Sequence, residues 1–158
     1  MIPLAPLITQ IKQHLEQLLE VLQQERTALA TATPEHIQQL TDEKKRLLDG
    51  IDNANRKRNL MLVKFGVLDA KAPSEAAFTE WLSQQTNMDD VKDLVRDCND
   101  LLDQCKQANE TNAHILATLR KRNKAMFEML QGHSRKNKVY TSSGGTRPVS
   151  SKHTLGRA

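Results

Sequence analysis

Residues 88–131 read MDDVKDLVRDCNDLLDQCKQANETNAHILATLRKRNKAMFEMLQ, and the spacing of apolar side chains along this stretch decides the fold. Val91, Leu94, Cys98, Leu101, Cys105, Ala108, Asn112, Ile115, Leu119, Arg122, Met126 and Met129 follow one another in steps of three and four. All but Asn112 and Arg122 are apolar or cysteine. This is coiled-coil spacing, a narrow seam that must face other helices. Neither glycine nor proline interrupts residues 74–131, so the spacing predicts one helix about 65 Å long at 1.5 Å per residue. Such a helix is marginal in water until something covers its seam.

The cover lies upstream. Leu4, Ile8, Ile11, Leu15, Leu18, Leu22 and Leu29 keep the same rhythm, with Glu25 out of pattern, and predict a helix over residues 4–31. Thr33-Pro34-Glu35 then reads as an N-cap, a proline at the first helical position and an acid at the positive helix end. Ile37, Leu40, Lys44, Leu47, Ile51, Ala54, Arg58, Met61 and Phe65 carry a second helix over 35–64, in which Gly50 marks a bend or a close crossing. Gly66 to Pro73 is a break. Ser74 caps a short helix over 75–85 with Phe78, Trp81 and Leu82 on one face, and Asn87 with Asp90 opens the long one. The expected fold is all-α: an elongated antiparallel bundle or coiled-coil hairpin of three long helices, with one short extra helix. The bundle occupies residues 1–131, and residues 132–158 form a flexible, basic C-terminal tail.

Composition agrees with a thin core. The 158 residues are 38% hydrophobic, below the usual 45–50% of globular chains. No run approaches the ~18 apolar residues of a membrane span, and Met1-Ile-Pro-Leu-Ala-Pro is no secretory signal. Cys98 and Cys105, seven apart on one helix, lie too far apart to bridge; they read as small seam residues, and the default compartment is the cytoplasm. Up to Leu130 there are 17 Lys and Arg against 19 Asp and Glu, whereas residues 131–158 hold six basic residues and no acid. The tail's composition fits a segment that is disordered alone and could order on a partner.

No constellation for chemistry emerges. His14, His36, His114, His133 and His153 are scattered, and neither Glu-x-x-His nor His-Glu-x-x-His occurs. The two cysteines lack further ligands at zinc spacing, and no phosphate-cradling glycine loop is present. The acids Asp89, Asp90, Asp93, Asp97, Asp100 and Asp103 read as a solvated helix face. Arg120-Lys121-Arg122-Lys124 lacks the interleaved aromatics of a nucleic-acid platform. The expectation is a protein without enzymatic activity, cofactor or metal. What remains is the Met-rich apolar end: Ile115, Leu119, Met126, Phe127, Met129 and Leu130, extended by Val139. Such a surface can be core, or a place where a partner's amphipathic helix docks.

Several pieces resemble the FlgN family of flagellar type III export chaperones. Leu40-Thr41-Asp42-Glu43-Lys44-Lys45-Arg46-Leu47-Leu48 is similar to that family's Leu-Thr-x-x-Lys-x-x-Leu-Leu, and the basic Asn55-Arg56-Lys57-Arg58 and Gly66 follow it. Asn109-Glu110-Thr111-Asn112-Ala113 resembles Asn-x-x-Asn-Gly with alanine for the glycine. Gln131-Gly132, Tyr140 and the closing Leu155-Gly156-Arg157-Ala158 complete the likeness. The resemblance implies a cytosolic, non-enzymatic chaperone that binds the C-terminal helical ends of the hook–filament junction proteins FlgK and FlgL, with no nucleic acid and no membrane insertion. It also implies delivery to the export gate protein FlhA, with Tyr140 as the docking tyrosine, although Tyr140-Thr-Ser-Ser-Gly departs from the family's commoner Tyr-Gly-x-x-Gly. From heptads alone, a generic coiled-coil scaffold that self-associates is the alternative.

Overall fold

A computed structural model describes residues 2–31 and 33–140, the side chains of 134–140 excepted. Four helices follow in order: α1 (Ala5–Thr31), α2 (Pro34–Lys64), α3 (Glu75–Gln84) and α4 (Asp89–Tyr140). No strand occurs among the described residues. Thr33 caps α2 by accepting a hydrogen bond from the His36 amide, with Pro34 in the first turn; Ser74 caps α3 through the Ala77 amide. At the end of α2, Gly66 takes φ +73°. The Val67 amide there bonds the Leu62 carbonyl and the Gly66 amide bonds that of Val63. This paired arrangement closes a helix at a left-handed glycine.

The long helix corrects the expected end at residue 131. It runs through Gly132 to Tyr140. A helical glycine costs only about 1 kcal/mol relative to alanine, and no proline follows until Pro148. Residues 141–158 of the expected tail lie outside the described residues. The chain divides into two compact units, Met1–His114 and Ile115–Ala158, a division earlier in the sequence than the expected one.

Within Met1–His114, specific contacts fix how the helices run. His14 packs on Gly50 and Glu25 pairs with Lys44, so α1 and α2 are antiparallel. On the other side, three small α4 side chains donate to α1 carbonyls. Cys98 Sγ reaches Ile8 O at 3.7 Å, Cys105 Sγ reaches Leu15 O at 3.5 Å and Asn112 Nδ2 reaches Leu22 O at 2.8 Å. Donors and acceptors both advance by seven residues, so this part of α4 runs parallel to α1 in constant register. Two apolar clusters result. One joins Leu15, Leu18, Leu22, Leu47, Ala54, Cys105 and Ala108. The other gathers Leu4, Leu62, Phe78, Leu82 and Val91. Arg58, a polar member of the α2 stripe, is buried because its guanidinium lies 4.9 Å from the Phe78 ring centre and pairs with Glu75.

Gly50 is a slot for an imidazole. A Cβ there would sit 2.6 Å from both Cδ2 and Nε2 of His14, whose Nδ1 is buried without a hydrogen-bond partner. Gly50→Ala should therefore forfeit the helix-propensity gain of about 1 kcal/mol. In a His14→Ala background the same change should recover it. A urea-denaturation double-mutant cycle reads this coupling; additive effects would show that the ring does not need the slot.

Candidate partner-binding surface

The α4 seam is buried or, at Leu94, Cys98 and Leu101, half-buried as far as Asn112, and burial falls away after it. Val91, Cys105, Ala108 and Asn112 are buried, Ile115 and Leu119 are half-buried, and every residue from Arg120 to His133 is exposed. Met126, Phe127, Met129 and Leu130 are 53%, 62%, 72% and 67% exposed. Four large apolar side chains within five residues exceed the scatter that surfaces ordinarily tolerate. At about 100° per residue, Ile115, Leu119, Met126, Met129 and Leu130 share an arc of about 100°, and Phe127, about 60° beyond it, widens the surface to about 160°. Arg122 stands inside that arc. The side chains of Val139 and Tyr140 lie outside the described residues.

Other exposed apolar residues form no comparable run. Leu48 and Leu102 line a small cleft of about 170 Å³, while Leu60 and Phe65 stand elsewhere on α2. A larger cleft, about 330 Å³, is lined by Ile8, Ile51, Arg58, Phe78 and Cys98 among others. Its two charged lining groups, Arg58 and Glu75, are already paired with each other. Burial pushes the thiols of Cys98 and Cys105 up from their ordinary pKa, which keeps them protonated and weakly nucleophilic. Among the described residues no three His, Cys, Asp or Glu come together as a metal site.

The acidic face of α4 is more engaged than a solvated surface. Lys12 Nζ donates to Asp97 Oδ2 at 2.8 Å, across from α1. That bond lowers the Asp97 pKa and raises that of Lys12. Asp89 and Asp93 pair with Lys92 and Arg96 within the helix.

The least legible feature in the sequence is a polar clasp around Glu25, the residue that broke the α1 pattern. The residue is 8% exposed. Lys44 Nζ donates to it at 3.1 Å and 3.3 Å, and Asn112 Nδ2 at 3.0 Å. Lys44 also donates to Asn109 Oδ1 at 3.3 Å, and Arg26 Nε donates to Asn112 Oδ1 at 3.2 Å. Lys44 from the Leu40–Leu48 stretch thus meets Asn109 directly and Asn112 through the shared Glu25 carboxylate. These residues hold α1, α2 and α4 in register, and Lys44 and Asn109 also line the small cleft beside Leu48 and Leu102. A polar residue at an otherwise apolar register position is the signal that could have located the clasp, and Glu25, Lys44 and Asn112 all carry it.

In a comparison with models of protein families, residues 3–148 match the one described as FlgN protein. No curated protein and no solved structure matches the chain.

Proposed function

The chain belongs to the FlgN family of flagellar export chaperones, and on that footing we propose that it binds the C-terminal helical ends of the junction proteins FlgK and FlgL in the cytoplasm. Binding keeps these clients from associating early and brings them to the export gate protein FlhA. The client's apolar stripe is received by Ile115, Leu119, Met126, Phe127, Met129 and Leu130, with Val139 extending the surface. The observation that carries this reading is the exposure of Met126, Phe127, Met129 and Leu130 on one stretch of helix. Methionine re-packs around differently shaped side chains, which suits a surface serving two clients. Each Leu- or Met-sized side chain that becomes fully buried contributes about 1.5–3 kcal/mol. No catalytic step enters, in keeping with a chaperone family.

Co-purification of the full chain with FlgK and FlgL C-terminal peptides tests the assignment. The expected result is a stoichiometric complex with a single copy of the chain. A chain that self-associates and retains neither peptide would favour the scaffold alternative.

Tyr140 is the proposed contact with FlhA. Tyr140→Ala should leave client affinity unchanged and weaken capture by the FlhA cytoplasmic domain. Equal capture of both forms in a pull-down would remove that role from Tyr140.

A further inference from the structure

The apolar surface of α4 carries an electrostatic signature. Six of the thirteen Lys and Arg of Met1–His114 enter ion pairs with nearby acids. Arg120, Lys121, Arg122 and Lys124 enter none among the described residues, and all four are exposed. Local neutralisation is scarce as well. Residues 115–158 contain ten Lys and Arg, against Glu128 as the only acid.

The four cations are not equivalent. At about 100° per residue, Arg122 falls between Met126 and Met129 on the apolar arc, and Arg120 falls within about 20° of Phe127. Lys121 and Lys124 lie at least about 60° outside the surface even when it is widened to include Phe127. Two guanidinium groups therefore border the very side chains a partner would cover. Arginine's planar fork bonds a carboxylate in bidentate fashion and is less strongly hydrated than an ammonium group. It tolerates the edge of a closing interface better than lysine would.

We propose that this surface selects an amphipathic helix whose apolar stripe is flanked by Asp or Glu, with Arg122 and Arg120 as the residues that read the acidic flank. The proposal rests on the client-binding reading above and adds the chemistry by which a client is chosen. A second copy of the chain is a poor occupant, because pairing two such stripes would set Arg120 and Arg122 against another cationic segment. Like charges brought together at an interface suppress association.

The test uses the full-length chain and two synthetic 21-residue helical peptides with the same leucine stripe, flanked by Glu in one and by Gln in the other. The Glu peptide is expected to bind about tenfold more tightly in 0.05 M salt, the effect of two exposed charge pairs. That advantage should shrink in 0.5 M salt, where the Debye length is only a few ångströms. Arg120→Glu with Arg122→Glu should erase the preference. Lys121→Glu with Lys124→Glu, an equal change of net charge, should retain most of it. Equal binding of the two peptides overturns the proposal. So does equal loss in the two variants, which would mean that only overall charge acts. Displacement of the Glu peptide by an equimolar single-stranded oligonucleotide or by anionic vesicles would show a general polyanion surface and also overturn it. Should the Glu peptide bind as expected while the FlgK and FlgL termini do not, the client assignment falls and the acidic-helix preference stands.

Discussion

Met126→Asp combined with Met129→Asp should abolish client binding, with affinity falling at least about a thousandfold. Two Met-sized side chains lose about 1.5–3 kcal/mol of burial each, and every 1.4 kcal/mol is a factor of ten. The two new carboxylates would also have to be desolvated against the client's apolar stripe. Both methionines are more than half exposed in the free chain, so the packed residues of Met1–His114 lose nothing. Aspartate costs a helix less than 1 kcal/mol per site, which predicts nearly unchanged far-ultraviolet circular dichroism. Calorimetric titration with a FlgK C-terminal peptide measures the loss. Retained affinity in a folded variant would move the client to another surface.

The second large effect concerns stability. Lys44→Met removes the cation from the Glu25 clasp and leaves a carboxylate whose side chain is 11% exposed. Only the Asn112 amide then remains as a donor to it. Breaking a fully buried ion pair costs about 3–5 kcal/mol. Here the Lys44 side chain is 22% exposed, so water relieves part of the loss and about 2–3 kcal/mol is expected. Adding Glu25→Leu should return most of it, because replacing both partners with apolar groups strands no charge. Asn112 keeps its bond to the Leu22 carbonyl in either case. Urea denaturation measures both variants. A neutral single variant, or a double variant less stable than the single, would mean that the clasp does not hold the helices as described.

The helices themselves were legible because their signals are local. The three-and-four spacing placed α1, α2 and α4, and Thr33-Pro34 and Ser74 marked starts that the caps reproduce. What stayed hidden depends on contacts between distant segments. Glu25 looked like an interruption until Lys44 and Asn112 met it from two other helices. Asp97 read as solvated, yet Lys12 is on the far side of the bond it makes. The parallel register of α1 with the first part of α4 is written in Cys98, Cys105 and Asn112, but each donates to a backbone carbonyl, a partner with no letter of its own. Gly132 misled in the opposite way, since a glycine's modest helix penalty does not by itself end a long helix.

The candidate surface was half legible. Its apolar letters were plain, while their exposure was not, because a seam residue such as Ala108 and one such as Met129 carry the same spacing. The change from buried Asn112 to exposed Met126 separates them.

Hydrogen–deuterium exchange on the full chain, alone and with a saturating FlgK C-terminal peptide, tests most directly whether residues 115–130 of α4 are the receiving surface. Slowed exchange across residues 115–130, with Met1–His114 little changed, is the predicted result. Protection confined to Met1–His114, or no change in 115–130 at saturation, would contradict it.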